Sequence, residues 1–331
     1  MHPKFSVAMC TYNGAEFVTE QLDSIAAQTR LPDELIVCDD GSTDATVECI
    51  RQFARSASFP VRLVVNERNL GSTKNFESAI ALCEGDLIAL ADQDDFWFPD
   101  KLRRLEQALT DKNIGLAFTN GEVVDASLNS LGQSVWESIR FGEREQKLLC
   151  EGHAFAVLLD HNVVTGAALA MKAELRELVL PIPNDLVHDG IPVLHDWWAA
   201  LLVAAVAKIS FVPELLFKYR QHSAQQMGVI NSREDGNEQW AVRLSGSVRR
   251  KNTFSAEIHY LRTIFERLSS FSTARANVLS GLEARLKHLE TRAAMPENRT
   301  QRVAPVLREL LGRRYHLYSN GLASAAKDFW H

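Results

Sequence analysis

Four short apolar runs, each followed by polar residues, dominate the first hundred residues of the chain. The runs are FSVAMCT, LIVCDD, VRLVVNE and DLIALAD. Between them, apolar residues recur at helical spacing over residues 15–28, 43–53 and 72–83. Short apolar runs that alternate with helical segments predict parallel strands joined by helical crossovers. We therefore predict an α/β fold with a Rossmann-like, mostly parallel central sheet and helices on both of its faces.

Polar side chains follow each of the four predicted strands. The four segments are Thr11–Gly14, Asp39–Ser42, Asn66–Asn69 and Asp92–Asp95. The carboxyl ends of parallel strands meet at one edge of a sheet, and ligands of open α/β sheets bind there. Since many of these side chains carry carboxylate or amide oxygens, the edge is predicted to hold a divalent cation.

The segment Asp92–Asp95 carries the strongest indication of a metal site. Asp92 and Asp94 are separated by one residue, so both can reach one cation from a turn, and Mg²⁺ and Mn²⁺ prefer such hard oxygen ligands. The aromatic residues that follow, Phe96–Pro99, can form a pocket wall. The alternative is a solvated acidic turn without a metal.

The segment Asp39–Asp44 precedes the second predicted helix. A carboxylate at a strand end can accept a hydrogen bond from the imide N–H of uracil or thymine, and Gly41 permits close approach of the backbone. The helix N-terminus beyond it favours anions. Asp44 is predicted to cap that helix, and a capped helix start is the alternative for the whole segment.

The composition excludes several classes of protein. Of 331 residues, 46% are hydrophobic and 24% charged, which is typical of a globular chain. No apolar run approaches the roughly 20 residues that span a bilayer, and the N-terminus lacks a secretory signal pattern, so we predict a cytoplasmic location. The five cysteines are odd in number and contain no C-x-x-C, which argues against disulfides or a zinc ribbon and favours buried thiols.

Charge divides the chain into two parts. Residues 1–230 contain 19 Lys+Arg and 32 Asp+Glu, a balance of −13, and residues 231–331 contain 17 and 10, a balance of +7. We predict a catalytic domain over residues 1–228 and a helical, basic segment over 229–331. For that segment, which includes Arg249–Lys251 and Arg313–Arg314, we predict contact with the inner face of an anionic membrane. The alternatives are a homodimer and simple complementation of the acidic domain.

Seven blocks of the sequence, taken in order, resemble the family-2 glycosyltransferases over residues 4–225. They are SVAMCTYNG, VCDDGSTD, NLGSTKNFESAI, GDLIALADQDDFWFPDKL, NVVTGAALAM, HDWW and YRQH. The resemblance implies the GT-A fold, inverting transfer from a nucleotide-diphosphate sugar, and a divalent metal, Mg²⁺ or Mn²⁺. HDWW and YRQH are most similar to bacterial rhamnosyltransferases of polysaccharide and O-antigen assembly, which implies dTDP-rhamnose as donor and a saccharide or lipid-linked saccharide as acceptor.

The resemblance also implies roles for individual residues. Asp196 matches the catalytic base, and His195 stands where the family often has Glu. Asp94 and His222 are implied as metal ligands. Nine positions are implied to bind the nucleotide sugar: Thr11, Tyr12, Asn13, Asp39, Asp40, Lys74, Asn75, Asp92 and Gln93. Four are predicted to shape the acceptor site: Gly166, His195, Trp197 and Trp198. For the two tryptophans, whose rings can stack on sugars, the alternative is a place in the core.

Other functions fit the residues less well. A sugar-nucleotide-binding protein without catalysis would be expected to lose Asp94 or Asp196, and both are present. A glycosyltransferase with a UDP-hexose donor is the alternative within the same class. A nucleotidyltransferase would carry a glycine-rich loop where this chain has Thr11–Gly14. Nucleic-acid binding has little support, because the basic residues alternate with leucines at helical spacing rather than with exposed aromatics.

Overall fold

The computed structural model describes residues 2–222 and 253–330, which form two compact units. The first contains residues 2–184 and 194–222, and the second contains 185–193 and 253–330. The predicted domain boundary at residue 228 and the basic residues Arg249–Lys251 lie outside the described residues. Nothing in the sequence indicated that residues 185–193 would join the C-terminal helices.

The first unit is built on a nine-stranded sheet. In chain order its strands are β1 (Phe5–Thr11), β2 (Glu34–Asp39), β3 (Val61–Val65), β4 (Leu87–Ala91), β5 (Phe96–Trp97), β6 (Ile114–Val124), β7 (Ser130–Ser134), β8 (Leu169–Lys172) and β11 (Lys208–Arg220). Their order across the sheet is β3-β2-β1-β4-β8-β6-β11-β5, with β7 paired to β6. The four predicted strands pair in parallel, as expected. The other half is mixed, since β8 runs antiparallel to both β4 and β6.

The register of the parallel strands places the functional segments side by side. Thr11 lies opposite Asp39, and Asp39 lies opposite Val65, so β1, β2 and β3 end level with one another. Every residue of β1 and β4 is buried. Burial on both faces explains why these strands read as continuous apolar runs rather than as alternating ones.

The helices of the first unit are α1 (Val18–Ala26), α2 (Thr46–Ala54), α3 (Ser72–Leu82), α4 (Lys101–Ala108), α5 (Val135–Ser138), α6 (Glu143–Cys150), α7 (Ala154–Asp160), α8 (Arg176–Val179) and α9 (His195–Val206). The three predicted crossover helices are confirmed as α1, α2 and α3. Asp44 accepts a hydrogen bond from the Thr46 backbone N–H at 3.0 Å and so satisfies the start of α2. The polar stretch over residues 128–146 contains β7, α5 and the start of α6.

The second unit contains a short hairpin and five helices. The hairpin strands are β9 (Val187–His188) and β10 (Ile191–Pro192), and the helices are α10 (Thr253–Ser269), α11 (Ala276–Ala293), α12 (Arg299–Leu311), α13 (Arg314–Tyr318) and α14 (Gly321–Trp330). The helical pattern predicted for the C-terminal segment is therefore confirmed. Within the two described ranges, none of the helices combines the length and the apolar character needed to cross a membrane.

Candidate active site

A cavity of about 400 Å³ opens in the first unit at the carboxyl ends of β1, β2 and β4. Its walls come from loops after these strands, from the start of α3 and from the start of α9. The residues that line it are Cys10, Thr11, Tyr12, Asp40, Asn69, Gly71, Ser72, Asn75, Phe76, Asp92, Gln93, Asp94, Thr165, Gly166, Leu194, His195, Asp196 and Tyr219. Ten of the predicted site residues are among them, and the cavity lies where the strand pattern placed it.

Two loops of the cavity are tied together by Gln93. Its Oε1 accepts a hydrogen bond from the Tyr12 backbone N–H at 2.8 Å, and its Nε2 donates to the Tyr12 carbonyl at 3.1 Å. A Cβ atom at Gly14 would lie 2.1 Å from the same Oε1, so only glycine leaves room for this amide. Gln93 therefore fixes the position of Tyr12, whose half-exposed ring lies at the cavity.

Asp39 supports the loops from below. It is fully buried, and its carboxylate accepts hydrogen bonds from the Thr11 hydroxyl at 2.7 Å and from the Ser42 backbone N–H at 2.8 Å. The Ser42 hydroxyl donates a third at 2.6 Å. Asp39 is buried and is not among the lining residues, so in this structure it does not reach the cavity where a nucleobase would bind.

Asp40 lines the cavity and holds the opposite loop. Its carboxylate accepts hydrogen bonds from the backbone N–H groups of Leu70 and Gly71, each at 2.8 Å, and from the Asn66 side-chain amide at 2.9 Å. Gly71 has a φ of +83°, a conformation that favours glycine. Asn75 extends the network, since its Oδ1 accepts from the Asn66 amide at 2.9 Å.

Two predicted donor-site residues point elsewhere. The Lys74 ammonium donates to Glu77 at 2.8 Å and to the Ile182 carbonyl at 2.7 Å, and Lys74 does not line the cavity. Asn13, with a φ of +47°, accepts a hydrogen bond from the Thr43 backbone N–H at 2.9 Å. In this structure Lys74 and Asn13 therefore support the surrounding backbone.

Besides Asp40, three more carboxylates line the cavity: Asp92, Asp94 and Asp196. Burial raises the pKa of Asp92 to about 7, and the negative charges of Asp94 and Asp196 add to the effect, while Lys101 opposes it. Such mutual repulsion is relieved when a cation binds between the carboxylates. The electrostatics of the cavity therefore suit a positively charged ligand.

Asp94 and His222 meet although 128 positions separate them in the chain. The Asp94 Oδ2 and the His222 Nε2 lie 2.9 Å apart, and both side chains remain slightly exposed. The His222 ring also packs on Phe17, with ring centroids 4.8 Å apart. Asp94 lines the cavity and His222 does not. The carboxylate oxygen and the imidazole nitrogen, in a negative field, fit a divalent cation such as Mn²⁺.

Arg220 holds the loop that carries Asp94, a role that the sequence did not reveal. Its Nε donates to the Asp94 carbonyl at 2.7 Å, and its other guanidinium nitrogens donate to the Ala126 carbonyl and to Glu20. The guanidinium also lies 4.5 Å from the centre of the Phe17 ring. Its place between Tyr219 and His222 in the YRQH block was the available signal.

A buried lysine connects this region to the turn at residues 165–168. The Lys101 ammonium donates to the Ala167 carbonyl and lies 3.9 Å from the centre of the Trp97 ring. Burial lowers the pKa of Lys101 to about 7, although Asp95 and Asp92 oppose the shift. Lys101 stood in the block DFWFPDKL, yet nothing in its sequence position indicated that it would be fully buried.

Asp196 is the second residue of α9 and lines the cavity. Its Oδ2 accepts a hydrogen bond from the Gly166 backbone N–H at 3.1 Å, and its Oδ1 accepts from the Trp197 backbone N–H at 2.6 Å. Two donors from separate segments fix the carboxylate in one orientation. The structure thus brings Asp196, Asp92 and Asp94 to the same cavity.

His195 forms part of the cavity wall beside Asp196. Its ring stacks on Phe76, with centroids 3.9 Å apart, and it is buried. Within residues 2–222 and 253–330, neither ring nitrogen has a hydrogen-bond partner. Burial lowers the pKa of His195, although the neighbouring Asp196 opposes the shift, so the imidazole is held in its neutral form.

Trp197 and Trp198 do not line the cavity, contrary to the acceptor-site prediction. Both are buried, and their indole N–H groups donate to the carbonyls of Leu158 at 2.7 Å and Val179 at 2.8 Å. As α9 is apolar on all sides, its tryptophans pack into the interior around it. We therefore assign both to the core, which was the alternative interpretation.

Comparison with known proteins shows the class of fold and a similarity to one family. A crystal structure of Staphylococcus aureus TarS 1-349 in complex with UDP-GlcNAc is 16% identical and covers 98% of this chain and 89% of its own, with a TM-score of 0.59. The mannosyltransferase PcManGT from Pyrobaculum calidifontis, in complex with GDP-Man and Mn²⁺, is 18% identical and covers 99% of this chain and 84% of its own, with a TM-score of 0.51. These likenesses show the GT-A fold.

Residues 6–158 match the family model described as Glycosyl transferase family 2. A protein of Nostoc sp. named "Uncharacterized glycosyltransferase alr2836" is 26% identical over 226 residues, which make up 67% of this chain and 66% of that protein. The chain spans between 59% and 66% of the length of the first curated relatives that it matches. Residues 6–158, a little under half of the chain, are therefore similar to glycosyltransferase family 2.

Proposed function

We propose that this protein transfers a sugar from a nucleotide-diphosphate donor to an acceptor hydroxyl, with inversion at the anomeric carbon. The observation that carries the proposal is the convergence of Asp92, Asp94 and Asp196 on one cavity at the carboxyl ends of the parallel strands. The family-model match over residues 6–158, which includes Asp92 and Asp94, supports the proposal. The donor nucleotide is proposed to lie along Thr11, Tyr12 and Asp40.

Asp196 is the proposed general base. As the acceptor oxygen attacks the anomeric carbon, Asp196 takes the hydroxyl proton, and the bond from that carbon to the diphosphate oxygen breaks. The products are the glycosylated acceptor and a nucleoside diphosphate. The hydrogen bonds from Gly166 and Trp197 support this role, because they hold the carboxylate in a fixed orientation without neutralising it.

Asp94 and His222 are the residues that would hold a divalent cation, with Asp92 beside them. Such a cation stabilises the negative charge of a departing diphosphate. Mg²⁺ and Mn²⁺ are both proposed. The imidazole ligand suits Mn²⁺ better, since Mg²⁺ prefers ligands that are oxygen alone.

A narrower proposal concerns the identity of the donor sugar. The resemblance of the HDWW and YRQH blocks supports dTDP-rhamnose. A UDP-hexose is the second candidate, because a fold neighbour is a complex with UDP-GlcNAc. The proposed acceptor is a saccharide or a lipid-linked saccharide of a cell-surface polysaccharide, and the proposed location is the cytoplasm. Of the two partners predicted for the basic segment, a membrane and a second copy, the exposed side chains of the C-terminal helices favour the membrane.

The decisive experiment compares donor binding with transfer. A panel of nucleotide sugars is screened for nucleoside-diphosphate release with Mg²⁺ and with Mn²⁺, and donor affinity is measured by calorimetry. We expect Asp196→Asn to reduce transfer by at least about 100-fold while donor affinity stays within a few-fold. The exposed carboxylate Asp23 provides a matched Asp→Asn control that should leave both unchanged.

Full transfer activity in Asp196→Asn would refute the assignment of the base. Donor binding without transfer to any acceptor in the wild-type protein would instead favour the alternative of a binding protein.

A further inference from the structure

Helix α12 carries an exposed apolar stripe. Val303, Leu307 and Leu311 follow one another at intervals of four residues, and Leu307 and Leu311 expose 51% and 84% of their surface. Residues at this spacing lie on one side of a helix. Single exposed leucines are common on protein surfaces, whereas exposed apolar side chains grouped on one face of a helix form a candidate interaction site.

Helix α14 carries a second stripe of the same kind. Leu322 and Trp330 expose 67% and 57% of their surface, and Ala326, midway between them, is also exposed. Large apolar side chains occupy both ends of this ten-residue helix. We call these three residues together with Val303, Leu307 and Leu311 the exposed apolar surface.

The two stripes face the same way. Val306 of α12 and Ala325 of α14 belong to one buried cluster, so these residues mark the faces by which the helices pack. The Arg299 guanidinium, at the start of α12, lies 5.4 Å from the centre of the Trp330 ring at the end of α14, so the helices run antiparallel.

Leu307, in the middle of the α12 stripe, comes one residue after Val306, and Ala326, in the middle of the α14 stripe, comes one residue after Ala325. One residue corresponds to a rotation of about 100° around the helix axis. The same rotation on two antiparallel helices that face each other brings both stripes to one side.

The exposed charges on and between α12, α13 and α14 are all of one sign, and exposed Glu297 lies just before α12. Between residues 298 and 330 the exposed charged residues are Arg299, Arg308, Arg313 and Lys327. The two acidic residues of this range are withdrawn from solvent. Glu309 is buried and bonded to His288 and Arg314, and Asp328 pairs with Arg292 at 2.6 Å.

We propose that the exposed apolar surface, with the basic residues beside it, docks the protein on the surface of an anionic lipid bilayer. Apolar side chains enter the boundary between headgroups and acyl chains, while lysine and arginine contact anionic headgroups. A second copy of the chain fits less well, because a two-fold interface would bring the exposed basic residues of both copies into one contact, and residues 298–330 supply no exposed acidic side chain to pair with them. The inference rests on the proposed function only for the purpose of docking, which is to bring the enzyme to a lipid-linked acceptor.

The test is flotation of the full-length protein with vesicles of phosphatidylcholine alone and of phosphatidylcholine with phosphatidylglycerol. We expect binding to the anionic vesicles only. The double variant Leu311→Glu/Leu322→Glu should reduce the vesicle partition coefficient at least about tenfold. Arg308→Gln and Arg313→Gln should each reduce it about fivefold. The matched control is Asn277→Glu, which adds a negative charge at the exposed start of α11. It should reduce the partition coefficient less than the double leucine variant or either arginine variant does.

Equal flotation with both kinds of vesicle, or none with either, would overturn the proposal, and so would wild-type binding by the double variant. Sedimentation of the free protein provides a further check. A dimer that the double variant dissociates would show that the surface joins two copies instead. Nucleoside-diphosphate release with a soluble acceptor is measured in parallel, so that failure of docking is distinguished from failure of the proposed transfer reaction.

Discussion

Replacing Gly166 by alanine should damage the cavity in a way that can be worked out from the structure. The added Cβ would lie 2.9 Å from the His195 Nε2 and 3.7 Å from the Asp196 Cβ. Ordinary contact between such atoms begins near about 3.5 Å, so the imidazole must move by roughly 0.6 Å. The ring cannot move freely, because it is buried and stacked on Phe76. The displacement is therefore passed on to Asp196, which also depends on the Gly166 N–H.

Overpacking of this kind costs about 1–3 kcal/mol of unfolding free energy. Because a misplacement of about 1 Å costs about 100-fold in rate, a shift of half that size should lower kcat/KM by about 10-fold. Donor affinity should change little, since Asp40 and Gln93 lie on other loops. The measurements are nucleoside-diphosphate release, donor calorimetry and denaturant unfolding.

Two comparisons make this prediction sharp. In a His195→Ala background the clash is gone, so Gly166→Ala should cost less there than alone, and the two substitutions should not be additive. Gly281 lies inside α11, and a Cβ atom added there would have nothing within 4 Å, so Gly281→Ala should keep full activity and gain about 0.5–1 kcal/mol of stability. Wild-type activity in Gly166→Ala, or strict additivity with His195→Ala, would refute the reasoning.

Three further predictions concern the metal, the thiols and pH. Asp94→Ala should weaken Mn²⁺ binding, measured by calorimetry, by about 10- to 100-fold, whereas Asp23→Ala should leave it unchanged. Equal Mn²⁺ affinities for Asp94→Ala and the wild-type protein would contradict the metal assignment. Ellman's reagent at pH 8 should modify exposed Cys150 in the folded protein but reach Cys83 only after denaturation, because burial raises the pKa of that thiol to about 12. Burial also lowers the pKa of His195 in the folded protein. As the pH falls below about 6.5, this histidine therefore binds a proton more readily in the unfolded chain than in the folded protein, and the free energy of unfolding decreases. His195→Gln should flatten that slope in denaturant titrations at pH 5 and 7, and an unchanged slope would rule out this contribution.

Much of the cavity could be predicted from the sequence because it depends on strand ends. Asp40 and Asp92 follow apolar runs directly, and parallel strands bring such positions to one edge whatever the details of packing. The predicted pairing of Asp94 with His222 came from resemblance to a family. No local pattern relates two residues 128 positions apart, and only the course of β11 beside the rest of the sheet brings them within 2.9 Å.

Side-chain direction was the part that the sequence could not decide. Trp197 directly follows Asp196, yet it is rotated into the core, because successive residues of a helix point about 100° apart. Lys74 lies one position before cavity-lining Asn75, and its ammonium turns away to Glu77 and the Ile182 carbonyl. Each of these outcomes depends on which neighbours are present in space.

The sequence by itself determined the strand-end chemistry, the crossover helices and the acidic edge, since these follow from local periodicity and from carboxylates placed at strand ends. The tertiary structure alone decided which atoms face the cavity and which support it. It buried Lys101 beneath the loops and gave Asp196 a hydrogen-bond donor from Gly166. The physical reason is that hydrogen bonds and packing contacts between distant segments exist only once the chain has folded.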